Sequence, residues 1–380
     1  MSRDEQEYVD ADRIYDVVVI GMGAAGVGVS AALKDAGIEN VVALERHEVG
    51  GSFARWPAEM RFITPSFPTN SVGMLDINSV AIGASPAFAL QVEHPTGEQY
   101  AAHLSAIVDV LDLPVYENID VSRIMPVDDV FHIETSEGTY TAKHVIWAAG
   151  DFQYPKLTGF DGSETCRHIA TIPSYAELEG DDFIIIGGYE SGVDAAYNLA
   201  KLGKNVLLFD SECPWDLGTS DPSVALSTYS HERMRSEAFT KNVVLFPYTP
   251  IEAVKNMESS YEVFMQGGER IETVTQPILA TGFDGSHKLI DGLFDKRDDG
   301  FPLLNEHDES TLVPGLFLCG PAVRQDDQIF CFIYKYRQRF AVVAKAIANS
   351  LGLPAEYLET YRMWGMYLDD LSCCGEECIC

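Results

Sequence analysis

Basic residues are scarce in this chain: 26 lysines and arginines face 58 aspartates and glutamates across 380 residues, for a formal net charge of −32. A surface of that sign repels a phosphate backbone, which excludes nucleic acid as a partner. No segment holds the roughly 18 consecutive apolar residues of a membrane span, so no membrane partner is expected. Residues 1–15 are acidic and polar, where a secretory leader would carry a basic and then an apolar stretch. A cytoplasmic location is the expectation. Eight cysteines are too few and too uneven for a disulfide framework, and four of them crowd the last eight residues. Excess carboxylate keeps a protein soluble in brine, where screening also relaxes its self-repulsion, so a salt-loving source is the hypothesis. Stability that failed to rise in molar salt would count against it.

What the chain does have is a dinucleotide cradle. An apolar strand, Tyr15 to Ile20, enters Gly21-Met22-Gly23-Ala24-Ala25-Gly26, followed by a small-residue helix and a strand from Val41 to Leu44 that ends in Glu45. Gly21 makes the tight turn, Gly23 lets a pyrophosphate reach the backbone, and Gly26 lets helix and sheet pack closely. Unpaired N–H groups at the helix start face the phosphates. Glu45 lies 19 residues past Gly26, close to the spacing at which a strand-end carboxylate takes ribose hydroxyls.

A glycine-rich loop with Gly51, Ser52 and Phe53 follows, then irregular chain from Trp56 to Pro68. A helix is predicted over Gly97 to Leu111, and short strands near Val115, Val121, Val130 to Glu134 and Tyr140 to Trp147. The last runs into Ala148-Ala149-Gly150. A second cradle-like unit then appears: strand Asp182 to Ile186, turn Gly187-Gly188-Tyr189-Glu190-Ser191-Gly192, a helix to Leu202, strand Asn205 to Phe209, and Asp210. Tyr189 stands where the middle glycine belongs and obstructs a pyrophosphate, while Gly188 beside it offers a compensating shift of the turn. Nucleotide binding and a purely structural unit both stay open. Further strands are predicted at Val243 to Phe246, Tyr261 to Met265, Thr273 to Leu279 and around Gly315 to Gly320, then a long helix from Gln328 to Ala348.

These pieces in this order resemble the flavoproteins with two dinucleotide-binding domains, within the branch of flavin-containing monooxygenases and cation-efflux accessory flavoproteins. The resemblance implies an α/β fold of two Rossmann-like nucleotide-binding domains, the second inserted in the first. Residues 1–152 would open the FAD-binding domain, 153–284 form the NAD(P)H-binding domain, 285–370 return to the first, and 371–380 make a cysteine-rich tail. The first cradle would hold FAD, with Gly51, Ser52, Phe53 and Trp56 beside the flavin and Gly150 at the crossing. Gly187, Ser191 and Gly192 would hold NADH or NADPH, and Asp210 favours NADH because a 2′-phosphate wants an arginine. Gly320 marks the return, though Pro321 follows where many relatives carry a ribityl-binding aspartate. The helix from Gln328 would aim its positive end at the flavin. Phe160, Gly162 and His168 echo a monooxygenase signature with altered spacing, and Ser66 aligns with an asparagine beside the flavin in such enzymes.

The expected function is therefore an FAD-dependent oxidoreductase reduced by NAD(P)H, most like a flavin-containing monooxygenase, acting on a small-molecule substrate or electron acceptor; a homodimer is the candidate assembly. No cysteine pair follows the first cradle or sits in the second domain, so thiol chemistry would need the tail, where Cys373 and Cys374 resemble the vicinal pair of some thioredoxin reductases. Glu376 and Glu377 would raise the thiol pKa values there. With Cys378 and Cys380 the tail could instead gather Zn or Cu(I), although its spacing matches no standard zinc pattern and no metal site is assigned, or it could be a frayed end. A non-catalytic flavin-bearing accessory protein is the third reading.

Overall fold

The computed structural model describes residues 13–68, 75–219 and 221–372. The tail cysteines Cys373, Cys374, Cys378 and Cys380 lie outside the described residues. The first domain runs β1 (Ile14–Ile20), α1 (Ala24–Asp35), β2 (Val41–Leu44), α2 (Gly51–Ala54), α3 (Pro86–Leu90), α4 (Gly97–Leu111), β3 (Val115–Tyr116), β4 (Val121–Val127), β5 (Val130–Thr135) and β6 (Gly138–Trp147). The second holds β7 (Arg167–His168), β8 (Asp182–Ile186), α5 (Glu190–Lys201), β9 (Asn205–Phe209), α6 (Thr228–Met234), α7 (Glu237–Asn242), β10 (Val243–Phe246), β11 (Ile251–Asn256), β12 (Tyr261–Met265), β13 (Arg270–Thr273) and β14 (Ile278–Leu279). The chain then adds β15 (Leu316–Leu318), β16 (Arg324–Gln325), β17 (Gln328–Ile329), α8 (Ile333–Tyr336) and α9 (Phe340–Ser350).

Continuous apolar runs such as Val17-Val18-Val19-Ile20 make strands buried on both faces, and such strands pair in parallel. In the first sheet β3, β2, β1 and β6 lie side by side, with Val17 opposite Val41 and Ile20 opposite Trp147. The far half of β6 pairs β15 in parallel, Leu318 opposite Trp147, while its near half pairs β5 antiparallel. The second sheet, β10-β9-β8-β14-β7, is wholly parallel, and β11-β12-β13 form a separate antiparallel layer. Because β15 returns to β6, the second fold sits inside the first. A mixed sheet and a parallel one, each carrying a strand-turn-helix unit, make the α/β architecture that the sequence predicts.

Two elements differ from expectation. The run from Thr273 to Leu279 is broken: β13 ends at Thr273 and only Ile278 and Leu279 re-enter a sheet, as β14, because Pro277 cannot donate to a ladder. The helix expected from Gln328 starts five residues later. Gln328 and Ile329 pair with Arg324 and Gln325 in a hairpin turned at Asp326, which takes φ +47°, and Phe332 is the cap of α8. Among the described residues no helix is long and apolar enough to cross a membrane.

Candidate active site

The first turn is built as the glycine pattern requires. Gly21 takes φ +94°, and a Cβ on Gly26 would lie 1.8 Å from Gly21 O, so both positions demand glycine. Gly23 caps α1, and nothing stands within 4 Å of where its Cβ would be. That open space beside the helix N-terminus is what a pyrophosphate needs. The Met22 N–H donates to Glu45 Oε2 at 2.6 Å and the His47 N–H to Oε1 at 3.0 Å, holding the carboxylate at the strand end. Burial nevertheless pushes the Glu45 carboxyl above its ordinary value.

From this turn a cavity of about 350 Å³ runs between the domains. Of the residues singled out in the sequence, Gly21, Gly23, Glu45, Gly51, Ser52, Phe53, Trp56, Gly150 and Ser191 line it. One wall is aromatic: Phe53 and Trp56 lie 5.2 Å apart, and Phe62 sits 5.1 Å from Trp56 and 4.5 Å from Tyr100. Ser52 Oγ accepts a hydrogen bond from Gln153 Nε2 at 3.1 Å, joining the glycine-rich loop to the crossing after Gly150. Open middle position, strand-end acid and adjoining slot together fit an adenine-linked flavin.

Gly187, Gly192, Asp210 and Gly320 do not line the cavity. Gly187 and Gly192 repeat the first turn, at φ +104° and with a Cβ contact of 1.8 Å to Gly187 O. Asp210 accepts from the Gly188 N–H at 2.6 Å and from the Glu212 and Cys213 N–H groups at 2.7 and 2.8 Å. Tyr189 occupies the middle position, and its hydroxyl donates to Pro222 O at 2.5 Å. Here the backbone repeats the nucleotide turn, and the Tyr189 side chain narrows the approach to it. Gly320, at φ +111°, packs against Ala25 of α1.

Ser66 is buried away from the cavity lining, its Oγ accepting from Asn78 Nδ2 at 2.9 Å, and Thr64 stands at the wall instead. His168 is a structural residue of β7: Nε2 bonds Gly282 O at 3.0 Å, and burial pushes the ring below its usual value. Arg61, Asp151, Cys331 and Tyr336, none of them a site residue expected from the sequence, where Cys331 reads as an isolated core or loop thiol, also line the cavity. Asp151, directly after Gly150, was open to discovery from the crossing motif, and burial raises its carboxyl. Cys331 stands just ahead of α8. Its Sγ donates to Ser223 Oγ at 3.3 Å across the domain junction, and burial raises the thiol. Among the described residues no group of three His, Cys, Asp or Glu side chains could hold a metal ion.

The cavity begins at one dinucleotide turn and ends against the helix that follows a second. The family described as pyridine nucleotide-disulphide oxidoreductase matches residues 18–320, and the chain belongs to it, a family of FAD-dependent oxidoreductases. The bacilliredoxin reductase Bdr of Bacillus subtilis (strain 168) is 25% identical over 344 residues, covering 87% of this chain and 97% of that protein. The solved bacillithiol disulfide reductase Bdr (YpdA) of Staphylococcus aureus superposes with a TM-score of 0.72 at 17% identity, over 89% of this chain and 99% of the other. A flavin-containing monooxygenase from Stenotrophomonas maltophilia gives 0.69 at 18% identity, over 88% and 98%. At those identities both superpositions speak for the fold alone.

Proposed function

We propose that this protein is an FAD-dependent disulfide reductase that draws its electrons from NADH. The observation that carries the reading is Cys331, a free thiol in the wall of the cavity. The similarity to Bdr along nearly the whole of that relative supports the same chemistry. When bound, FAD supplies two-electron transfer between a nicotinamide and an acceptor. The overall reaction balances as NADH, a proton and a disulfide giving NAD⁺ and two thiols. This chain's residues do the holding: Glu45 takes the adenosine ribose, α1 faces the pyrophosphate, and the aromatic wall excludes water. NADH is preferred to NADPH because Asp210 directly follows β9 and residues 211–216 carry no arginine.

Monooxygenation is the weaker reading, since Ser66 and His168 both stand away from the cavity lining. The accessory reading draws on one observation, the side chain of Tyr189 in the second cradle. Anaerobic mixing of the yellow protein with NADH or NADPH, followed by bis(2-hydroxyethyl) disulfide or by oxygen, separates the three. Disulfide reduction predicts bleaching by NADH and recovery of colour on adding the disulfide. Recovery only in air favours monooxygenation, and flavin that neither nucleotide bleaches favours the accessory role. Loss of disulfide turnover in Cys373→Ser or Cys374→Ser, with bleaching intact, would assign the relay to the tail.

A further inference from the structure

Where the cavity meets the second domain, its wall is made by residues 60–64 of the loop after α2 and by Glu190, Ser191 and Asp194 of α5. That loop is fastened to the second domain. The Ala58 N–H donates to Pro173 O at 2.8 Å, and the Glu59 carboxylate accepts from Ser174 Oγ at 2.5 Å and from the Tyr175 and Ala176 N–H groups at 3.0 and 3.2 Å. Arg61 follows two residues on. Its Nη1 donates to Ala58 O at 2.8 Å and Met60 O at 2.9 Å, fixing the plane of the guanidinium.

The opposite edge, Nε and Nη2, makes no hydrogen bond among the described residues, its charge being felt only through space by Asp194 and Tyr229, although this chain holds 58 carboxylates against 26 lysines and arginines. That edge is the fork that grips a carboxylate or phosphate through two parallel N–H···O bonds. The acids on the same wall are already engaged. Asp194 is held by Arg233 and by Asn198 Nδ2 at 3.2 Å, and Glu190 by the Ser227 N–H and by Ser230 Oγ at 2.6 Å. A charged, immobilised group with an open fork therefore stands in the cavity wall.

We propose that Arg61 is the anion anchor for the electron acceptor, gripping a carboxylate that the acceptor carries beyond its disulfide. The assignment rests on the disulfide reading above. A phosphate of the nicotinamide nucleotide offers the same chemistry from another source, and because Glu190 and Ser191 of the second turn share this wall, the NADH arm of the test distinguishes the two.

The test is equilibrium binding to the FAD-loaded protein by calorimetry, with 3,3′-dithiodipropionate, the neutral bis(2-hydroxyethyl) disulfide, suberate and NADH as probes. Suberate matches the dianion in length and has no disulfide. Arg61→Met is expected to weaken dithiodipropionate and suberate roughly ten- to a hundred-fold, the range for a lost charge-assisted pair, and to leave the neutral disulfide and NADH within about two-fold. Arg61→Lys keeps the charge without the fork and should fall between. An unchanged melting temperature and flavin spectrum accompany these losses if the role is anchoring. Suberate binding through Arg61 without turnover of either disulfide would leave the anchor standing and remove the disulfide reading. The anchor itself is overturned by a wild-type protein that binds dianion and neutral probe alike or binds neither, by equal loss of both disulfides in Arg61→Met, or by a loss that falls on NADH.

Discussion

Met22 and Gly188 stand at the same step of two strand-to-helix turns, and each donates its N–H at 2.6 Å to the carboxylate at the end of the next strand. The first glycines, Gly21 and Gly187, share a positive φ, and the third, Gly26 and Gly192, share a 1.8 Å approach to the carbonyl of the first. Even the middle residues agree, Gly23 at φ −77° and Tyr189 at φ −79°, a conformation open to any side chain. The two turns therefore separate what the fold needs from what a ligand needs. First and third glycines are demanded by the backbone itself; the middle one is demanded only by the phosphate that would lie against it. Tyr189 reports a changed approach of ligand at an intact turn.

Beneath the turns each domain buries an arginine-aspartate ion pair, and here the halves diverge. Arg339 meets Asp308 with two bonds, Nε to Oδ2 at 2.8 Å and Nη2 to Oδ1 at 3.0 Å, and spends its other donors on Leu368 O and Glu306 O, both at 2.6 Å. Arg233 gives Asp194 only Nη2, leaves Nε and Nη1 without a hydrogen bond among the described residues, and stacks on Tyr197 and Tyr229. Removing one partner strands a buried charge, so Asp308→Ala and Asp194→Ala should each cost about 3–5 kcal/mol in urea unfolding at neutral pH. Replacing both partners by apolar residues separates the domains. Arg233→Met with Asp194→Leu should come out near neutral, whereas Arg339→Met with Asp308→Leu should stay costly because two backbone carbonyls lose their donors. Equal cost for the two double variants would break the contrast.

Exchanging the middle residues tests the turns directly. Gly23→Tyr should fold, since no atom lies within 4 Å of the new Cβ, yet weaken FAD by about two orders of magnitude because a side chain enters the phosphate space. Apoprotein melting and flavin titration give the two numbers. Tyr189→Gly should tighten NADH by about ten-fold, one lost obstruction in the same position, as read by fluorescence titration. It should also cost about 1–2 kcal/mol of stability, through the lost hydroxyl bond to Pro222 O and the added backbone freedom of glycine. NADH affinity that stays put would make the second turn a structural unit.

The same contrast explains what the sequence disclosed. The turns, their strands and the helix from Gly97 to Leu111 were legible because each is local: Thr96 and Gln99 form a capping box, and apolar runs set the strand ends. The start of α8 was misread because the hairpin before it turns on Asp326 and Asp327 with no glycine or proline to mark it. Ser66, Arg61 and Cys331 were beyond sequence reasoning for a different reason. Whether each of them faces the cavity is decided by how distant parts of the chain pack, not by the residues beside it in sequence.

Glu45 supplies the finest test, since it must be a carboxylate to take ribose hydroxyls and yet is held in a buried place that favours the neutral form. A carboxyl whose pKa is raised on folding keeps its proton in the native state where the unfolded chain has lost it. The native apoprotein then loses stability as pH climbs from the ordinary carboxylate value through the raised one. Glu45→Gln removes that dependence. The variant should gain on the wild-type apoprotein by less than about 1 kcal/mol between pH 4 and pH 7, the two Met22 and His47 bonds offsetting most of the burial. It should nevertheless bind FAD more weakly at pH 7. Paired melting curves at the two pH values and a flavin titration read both effects, and a variant that falls behind the wild-type as pH rises would show that the hydrogen bonds, not burial, govern this acid.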